Sequence, residues 1–189
     1  GDWDIVAGGA LDDVWRKAIH VLPRFKVPAG WRVDRALDWG SSHPCSVGWF
    51  AEANGEEAEI KMKDGSIRKF CPPPGTLIQI GEVYLTEKLG TNRGLRMSAP
   101  DVADKVIDYE INLMQSEWIE EQPWPGPADN QIRDVREADV DTIEKKMADK
   151  GVRWVESDKS PGSRKNGLQL MRDRLEAAMR GSELPALYF

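Results

Sequence analysis

The sequence predicts a mixed α/β fold in which three antiparallel strands are followed by parallel strands with helical crossovers. Two strand-like runs flank a polar turn between Trp31 and Glu52, and a third run follows at Thr76 to Leu85. Helix-like and strand-like segments then alternate towards the C-terminus, and such crossovers impose parallel pairing. The 189 residues, 40% of them hydrophobic, are enough for one domain with a sizeable core.

The first two strands are predicted at Arg32 to Leu37 and Ser46 to Ala51, and Asp38 follows the first of them. An excursion from Asn54 to Gly75 contains two short alternating runs joined through Asp64-Gly65, a pair of residues typical of a hairpin turn. Without this excursion, the three main strands form an antiparallel meander.

The helical part begins at Ser98, a typical N-cap that is followed by Pro100 and Asp101 in the first turn. An amphipathic helix is predicted over Asp101 to Glu120. The later elements are a short strand near Asp129, a helix marked by Val140, Ile143 and Met147 and closed by Gly151, a strand at Val152 to Val155, and a helix at about Asn166 to Arg180. This order of strands and helices is the ribonuclease-H-like layout.

Composition excludes several classes of protein. No apolar run reaches membrane-spanning length, and the two cysteines and two histidines are too few for a disulfide framework or a convincing zinc site. The net charge of -6 argues against a protein that coats nucleic acid by bulk electrostatics. Contact with nucleic acid must therefore be local, and Lys159 to Arg180 carries six basic residues against two acidic ones.

Asp38 and Asp129 are the leading candidates for chemistry. In a ribonuclease-H-like sheet, the ends of the strands that precede them lie side by side, so the two carboxylates approach each other. Such a pair repels unless divalent cations lie between them, and two metal ions there can activate a water for phosphodiester cleavage. The alternatives are an Asx turn for Asp38 and a loop acid after a Pro-rich turn for Asp129.

Two further acids are candidate metal ligands. Glu82 lies inside the third strand among apolar residues, so it either has a metal or a partner nearby or points to solvent. Asp158 follows the last full strand and either caps the next helix or approaches the metal ions.

Several spaced motifs together resemble the C-terminal nuclease domain of the large terminase subunit of tailed bacteriophages. The resemblance covers nearly the whole chain. Its motifs are DRALDWGSSHPCSVGWFAE from Asp34 to Glu52, GEVY from Gly81, GPAD ending at Asp129, and SPGSR from Ser160 together with MRDRL from Met171.

The resemblance implies a metal-dependent endonuclease that cuts concatemeric double-stranded phage DNA. Asp38 would be the first acid and Asp129 the second, with Mg or Mn as cofactor and two ions in the complete site. It implies residues 31–189 as the nuclease domain and residues 1–30 as a remnant of the linker from an ATPase motor. The family's third acid lies beyond a strand like the one at Leu184, so we expect feeble or absent cleavage by this chain alone.

The partners that the resemblance implies are double-stranded DNA, the motor domain, the portal and the small terminase subunit. The implied location is the cytoplasm of a bacterial host, without contact with a membrane. Basic side chains of the loop after Leu85 and of the last helix are predicted to contact DNA phosphates: Lys88, Arg93, Lys159, Arg164, Lys165 and Arg172. The alternatives are a non-catalytic module that clamps DNA or docks on a portal, and a junction-resolvase-like nuclease of the same layout.

Overall fold

A computed structural model of the chain describes residues 9–135 and 141–189. The strands are β1 (Arg32–Asp38), β2 (Cys45–Glu52), β3 (Ala58–Lys61), β4 (Ile67–Phe70), β5 (Leu77–Leu85), β6 (Pro127–Ala128), β7 (Val155–Glu156) and β8 (Leu187–Tyr188). The helices are α1 (Lys17–His20), α2 (Ala99–Gln115), α3 (Ile143–Ala148) and α4 (Ser163–Arg180), with a 3-10 turn at Asn130–Arg133. Within this part of the chain, no helix is long and apolar enough to cross a membrane.

The main sheet has six strands in the order β7-β6-β1-β2-β5-β8. β1 pairs with β6, β6 with β7, and β5 with β8, each in parallel. The first three strands of the sheet in chain order are neighbours, and helices precede both β6 and β7. The predicted ribonuclease-H-like mixed sheet is thus confirmed.

The chain divides into two compact units. The first contains Ala51–Ile80, Asp158–Phe189 and the described part of the N-terminal segment up to Arg32, and the second contains Val33–Phe50 and Gly81–Ser157. In the first unit, β3 and β4 form the predicted antiparallel hairpin, whose turn is closed by a hydrogen bond from the Met62 amide to the Ser66 carbonyl oxygen at 2.8 Å.

In the first unit, α4 packs against both the N-terminal segment and the C-terminal strand β8. Leu175 on this helix packs with Val14, Trp15 and Leu187 in one buried cluster. The fully buried His20 ring stacks on Trp15, and its Nε2 lies 2.9 Å from the Leu175 carbonyl oxygen. These contacts connect segments that are 155 residues apart in sequence.

The bounds of α2 differ from the prediction at its C-terminus. Ser98 caps the helix as predicted, accepting a hydrogen bond from the Asp101 amide. The helix ends at Gln115 rather than Glu120 because Glu117 has a left-handed backbone, with φ 58°. The Trp118 amide donates to the Leu113 carbonyl oxygen, and the Glu117 amide donates to the Met114 carbonyl oxygen. These two hydrogen bonds form the Schellman motif that ends many helices.

The later strands are shorter than predicted. β7 covers Val155–Glu156 instead of Val152 to Val155, and β6 has only two residues. α3 begins at Ile143, and Thr142 is its N-cap. α4 begins at Ser163, three residues before the predicted start at Asn166, and Gly162 is its N-cap. Val140, predicted to mark the α3 helix, lies outside the described residues.

A buried ion pair lies in the core of the second unit. Arg35 on β1 and Glu110 on α2 are each 3% exposed, and Arg35 Nη1 donates to Glu110 Oε1 at 2.7 Å. Trp49 Nε1 on β2 donates to the same carboxylate oxygen at 3.0 Å, and the Arg35 guanidinium lies over the Trp154 ring. The Glu110 carboxylate therefore ties α2 to two neighbouring strands.

We predict that Glu110→Ala lowers the free energy of unfolding by about 3–5 kcal/mol, because it leaves the Arg35 charge buried without a counter-ion. Urea denaturation measures this loss. The matched control is Asp108→Ala, an exposed acid on the same helix, for which we expect a change within about 0.5 kcal/mol. Equal losses in the two variants would contradict a stabilising role for the pair.

Candidate functional site

The two faces of the sheet in the second unit can be assigned from contacts with α2. Arg35 and Trp49 both bond Glu110 on α2, and a side chain added at Gly81 on β5 would collide with Tyr109 of the same helix. Because side chains alternate along a strand, the residues between these positions project from the opposite face. That face contains Asp38 of β1.

The register of β1 with β6 places the backbone of Asp129 beside that of Asp38. Leu37 pairs in parallel with Ala128, and the residue that follows each of them in the chain is an aspartate. The Asp129 amide donates to the Leu37 carbonyl oxygen at 3.2 Å and extends the ladder by one bond. Neighbouring strands lie about 4.8 Å apart, so two acids at equivalent positions can share a cation.

Hydrogen bonds fix the backbone behind both acids. Asp129 caps the 3-10 turn, since its Oδ1 accepts the Gln131 amide at 3.1 Å. The Gln131 side chain in turn donates through Nε2 to the Trp39 carbonyl oxygen at 2.9 Å, directly after Asp38. The segments that leave β1 and β6 are therefore joined to each other. Asp38 itself is exposed, and Asp129 is half-buried.

Glu82 lies on the same face but two strands from Asp38. It is exposed on β5, and one of its oxygens accepts a hydrogen bond from Ser46 Oγ on β2 at 2.8 Å. Since β2 lies between β1 and β5, Glu82 and Asp38 are on strands about 10 Å apart. The structure thus brings Asp38 and Asp129 together and leaves Glu82 at the side of the pair.

Asp158 occupies a turn of the first unit. Its Oδ1 accepts the Ser160 amide at 2.8 Å, and hydrogen bonds from Ser160 hold the pKa of this carboxyl below its usual value. The cap position of α4 belongs to Gly162, which offers no side-chain bond. Asp158 therefore stabilises the turn that precedes α4 rather than the helix itself.

A divalent ion of the hard type fits the Asp38 and Asp129 pair. Mg²⁺ in enzymes is commonly held by one or two carboxylates, with waters and substrate phosphates completing its octahedron. Both aspartates offer carboxylate oxygens at one strand edge. Among the described residues, no group of three or more His, Cys, Asp or Glu side chains is arranged to hold a metal, so further ligands would have to be water or substrate oxygens.

The buried thiol of Cys45 is influenced by the charge of Asp38. Its side chain is 2% exposed at the start of β2, and burial raises the pKa of the thiol, with a further contribution from the negative charge of Asp38. Cys45 is thus a protonated thiol near neutral pH and has a low nucleophilicity. The other cysteine, Cys71, is exposed.

The predicted DNA-contacting residues fall into two groups. Lys88 and Arg93 are exposed in the second unit, and Lys159, Arg164 and Lys165 are exposed at or before the start of α4 in the first unit. Arg172 is engaged within the chain. Its guanidinium forms a two-pronged ion pair with Asp13, with Nη1 2.9 Å from Oδ1, and also bonds the Ala10 carbonyl oxygen.

Sequence reasoning missed the buried pair of Arg35 and Glu110. The two lie 75 residues apart in the chain, so no local pattern links them. It also missed Ser46 as the partner of Glu82, although an acid with apolar neighbours in a strand indicated that a partner was needed.

The fold of this chain is similar to that of solved large terminases. The large terminase of a thermophilic bacteriophage, in complex with ADP, matches with a TM-score of 0.57 and 12% identity, over 95% of this chain and 33% of that one. The P22 large terminase nuclease domain matches with a TM-score of 0.54 and 11% identity, over 96% of this chain and 73% of that one.

The resemblance found in the sequence is confirmed at the level of the fold. At 11% and 12% identity, the likeness shows the fold alone. The chain spans about a third of the length of the large terminase from the thermophilic bacteriophage. No protein-family model matches the sequence, and no curated protein matches it either.

We predict that iodoacetamide at neutral pH labels the native chain at Cys71 and leaves Cys45 unlabelled, because Cys45 is buried and its thiol stays protonated. Peptide mass spectrometry locates the label, and labelling in denaturant should add Cys45. Raising the pH should increase native labelling at Cys45 only at markedly alkaline values. Rapid native labelling of Cys45 would contradict the described burial beside Asp38.

Proposed function

We propose that the chain is the divalent-metal-dependent endonuclease domain of a phage DNA-packaging terminase. One observation carries the proposal: Asp38 and Asp129 directly follow a pair of residues, Leu37 and Ala128, on neighbouring parallel strands. The likeness in fold to the nuclease domain of P22 large terminase supports the same assignment.

The proposed cofactor is Mg or Mn, with two ions in the complete site. When bound, such ions supply a water nucleophile at neutral pH and stabilise charge on the attacking and leaving oxygens of the phosphodiester. Asp38 and Asp129 would hold them, because these two carboxylates share one strand edge. Their role is to fix the ions, and therefore the scissile phosphate, relative to a rigid sheet.

The chain's own residues orient this pair. The Gln131 amide donates to Asp129 Oδ1 and so restrains the orientation of this carboxylate. The bond from the Gln131 side chain to Trp39 holds together the segments that follow the two acids. Small errors in geometry reduce catalysis strongly, so this second layer of bonds matters for rate.

We propose double-stranded concatemeric DNA as substrate, cut with little sequence preference, because the proposed contacts are to phosphates. Residues 31–189 are proposed as the nuclease domain and 1–30 as the segment leading to it from an ATPase motor. The portal and small terminase subunit are the proposed partners, and the cytoplasm of a bacterial host is the proposed location. Glu82, which lies in the same unit, is proposed as a secondary candidate ligand of the metal site.

A second candidate function is a non-catalytic module that clamps DNA or docks on a portal. It is favoured by one observation: no set of three possible metal ligands is assembled within the described residues. This alternative predicts DNA binding that depends on salt, without cleavage at any metal concentration. A junction-resolvase-like activity would instead show a preference for branched over linear duplexes.

Plasmid nicking during titration with MgCl₂ or MnCl₂ tests the proposal. We expect Asp38→Asn and Asp129→Asn each to reduce cleavage by at least about a hundredfold, since each removes a charged ligand of the ions. The control is Asp108→Asn, an exposed acid on α2, which should cut like the parent. Variants at Asp38 and Asp129 that also cut like the parent would show that the site is elsewhere.

A further inference from the structure

The chain between β5 and α2 forms a compact hairpin, Thr86 to Arg96, which we name the basic finger. Thr86 and Gly94 form an antiparallel bridge at its base. Thr86 Oγ1 donates to the Arg93 carbonyl oxygen at 2.9 Å, and the Glu87 amide donates to the same oxygen at 3.0 Å. The finger is therefore ordered by its own hydrogen bonds.

The base of the finger is joined to the loop that follows Asp38. The Gly94 amide donates to the Ser42 carbonyl oxygen at 2.9 Å, and the Arg96 amide donates to that of Ser41 at 3.2 Å. A Cβ added at Gly94 would lie 2.4 Å from the Ser41 carbonyl oxygen, so only glycine allows this approach. The finger is thus held in a fixed position beside the edge that carries the candidate acids.

The surface of the finger is basic. Lys88, Arg93 and Arg96 are exposed, whereas Glu87 is its only acid. Leu89 is 71% exposed next to Gly90, where the hairpin turns. Arg96 has a left-handed backbone, with φ 53°, which is unfavourable for arginine and persists only where the surroundings impose it.

A phosphate group of a substrate would be repelled by the negative charges at this edge of the sheet. The chain carries a net charge of -6, and the two candidate acids add local repulsion against a polyanion. Positive charges placed beside the acids would offset this repulsion and release counter-ions from the duplex. The finger supplies such charges on a segment that is fixed to the loop after Asp38.

We propose that the basic finger grips the backbone of duplex DNA and positions the scissile strand at Asp38 and Asp129. Lys88, Arg93 and Arg96 contact phosphates without reading sequence, and Leu89 makes an apolar contact in the adjacent groove. Through these contacts Arg96 and Leu89 would position the DNA and take no part in the chemical step. The proposal rests on DNA as the substrate of the proposed function, but it does not require that this chain cleaves DNA.

Binding of a short fluorescein-labelled duplex in EDTA, followed by anisotropy at several salt concentrations, tests the finger without cleavage. The triple variant Lys88→Ala, Arg93→Ala, Arg96→Ala should bind about tenfold more weakly. Its salt slope should fall by about 2 to 3, because each phosphate that the finger no longer neutralises lowers the slope by about 0.9. Leu89→Ala should weaken binding at an unchanged salt slope, because no charge is removed.

The control is Lys105→Ala together with Arg153→Ala, which removes exposed charges from α2 on the other face and from the segment before β7. This variant should keep the parent's salt slope. A triple finger variant that binds like the parent, or a parent chain without duplex binding, would overturn the proposal. Binding that depends on the finger, together with cleavage that Asp38→Asn and Asp129→Asn leave unchanged, would support the finger and overturn the assignment of the metal site.

Gly94→Ala tests the position of the finger separately from its charge. The substitution keeps every basic residue but forces the base of the finger away from Ser41. We expect an unchanged salt slope and, where the chain cuts, a kcat that falls more than KM rises. The matched control is Gly167→Ala in α4, where an added Cβ meets nothing within 4 Å, and its kinetics should equal those of the parent. Parent-like kcat in Gly94→Ala would show that the fixed base of the finger has no positioning role.

Discussion

The pairing of β1 with β6 is the constraint on which the candidate site depends. Since Leu37 is opposite Ala128 in a parallel ladder, the backbones of Asp38 and Asp129 lie side by side where the two strands end. A shift of one residue in this register would turn one of the two carboxylates to the α2 side. Two acids that are far apart along the chain are thus brought to one point by the order and direction of strands.

The core on the other face protects that register. The Arg35 and Glu110 pair fixes β1 against α2, and Trp49 adds β2 to the same carboxylate. Breaking such a pair is costly because one charge stays buried, so the first strand has little freedom to slip. The face that bears Asp38 is consequently supported by a rigid layer behind it.

Elements with a clear local signal were predictable from the sequence, and contacts over long separations were not. Alternation located β1, β2 and β5, and Ser98 marked the start of α2. The early end of α2 rests on a left-handed Glu117, a residue type that gives no such signal. Arg172 was assigned to DNA from charge alone, whereas its partner Asp13 lies 159 residues away. Asp38 and Asp129 could be named as a pair only because the predicted topology brought their strands together.

Anomalous diffraction from crystals soaked in MnCl₂ tests the shared cation of Asp38 and Asp129 most directly. We expect a manganese peak at coordination distance from carboxylate oxygens of both residues, and the loss of that peak in Asp129→Asn. A well-occupied peak elsewhere on the chain, or side chains of these two residues that point to opposite faces of the sheet, would contradict this site.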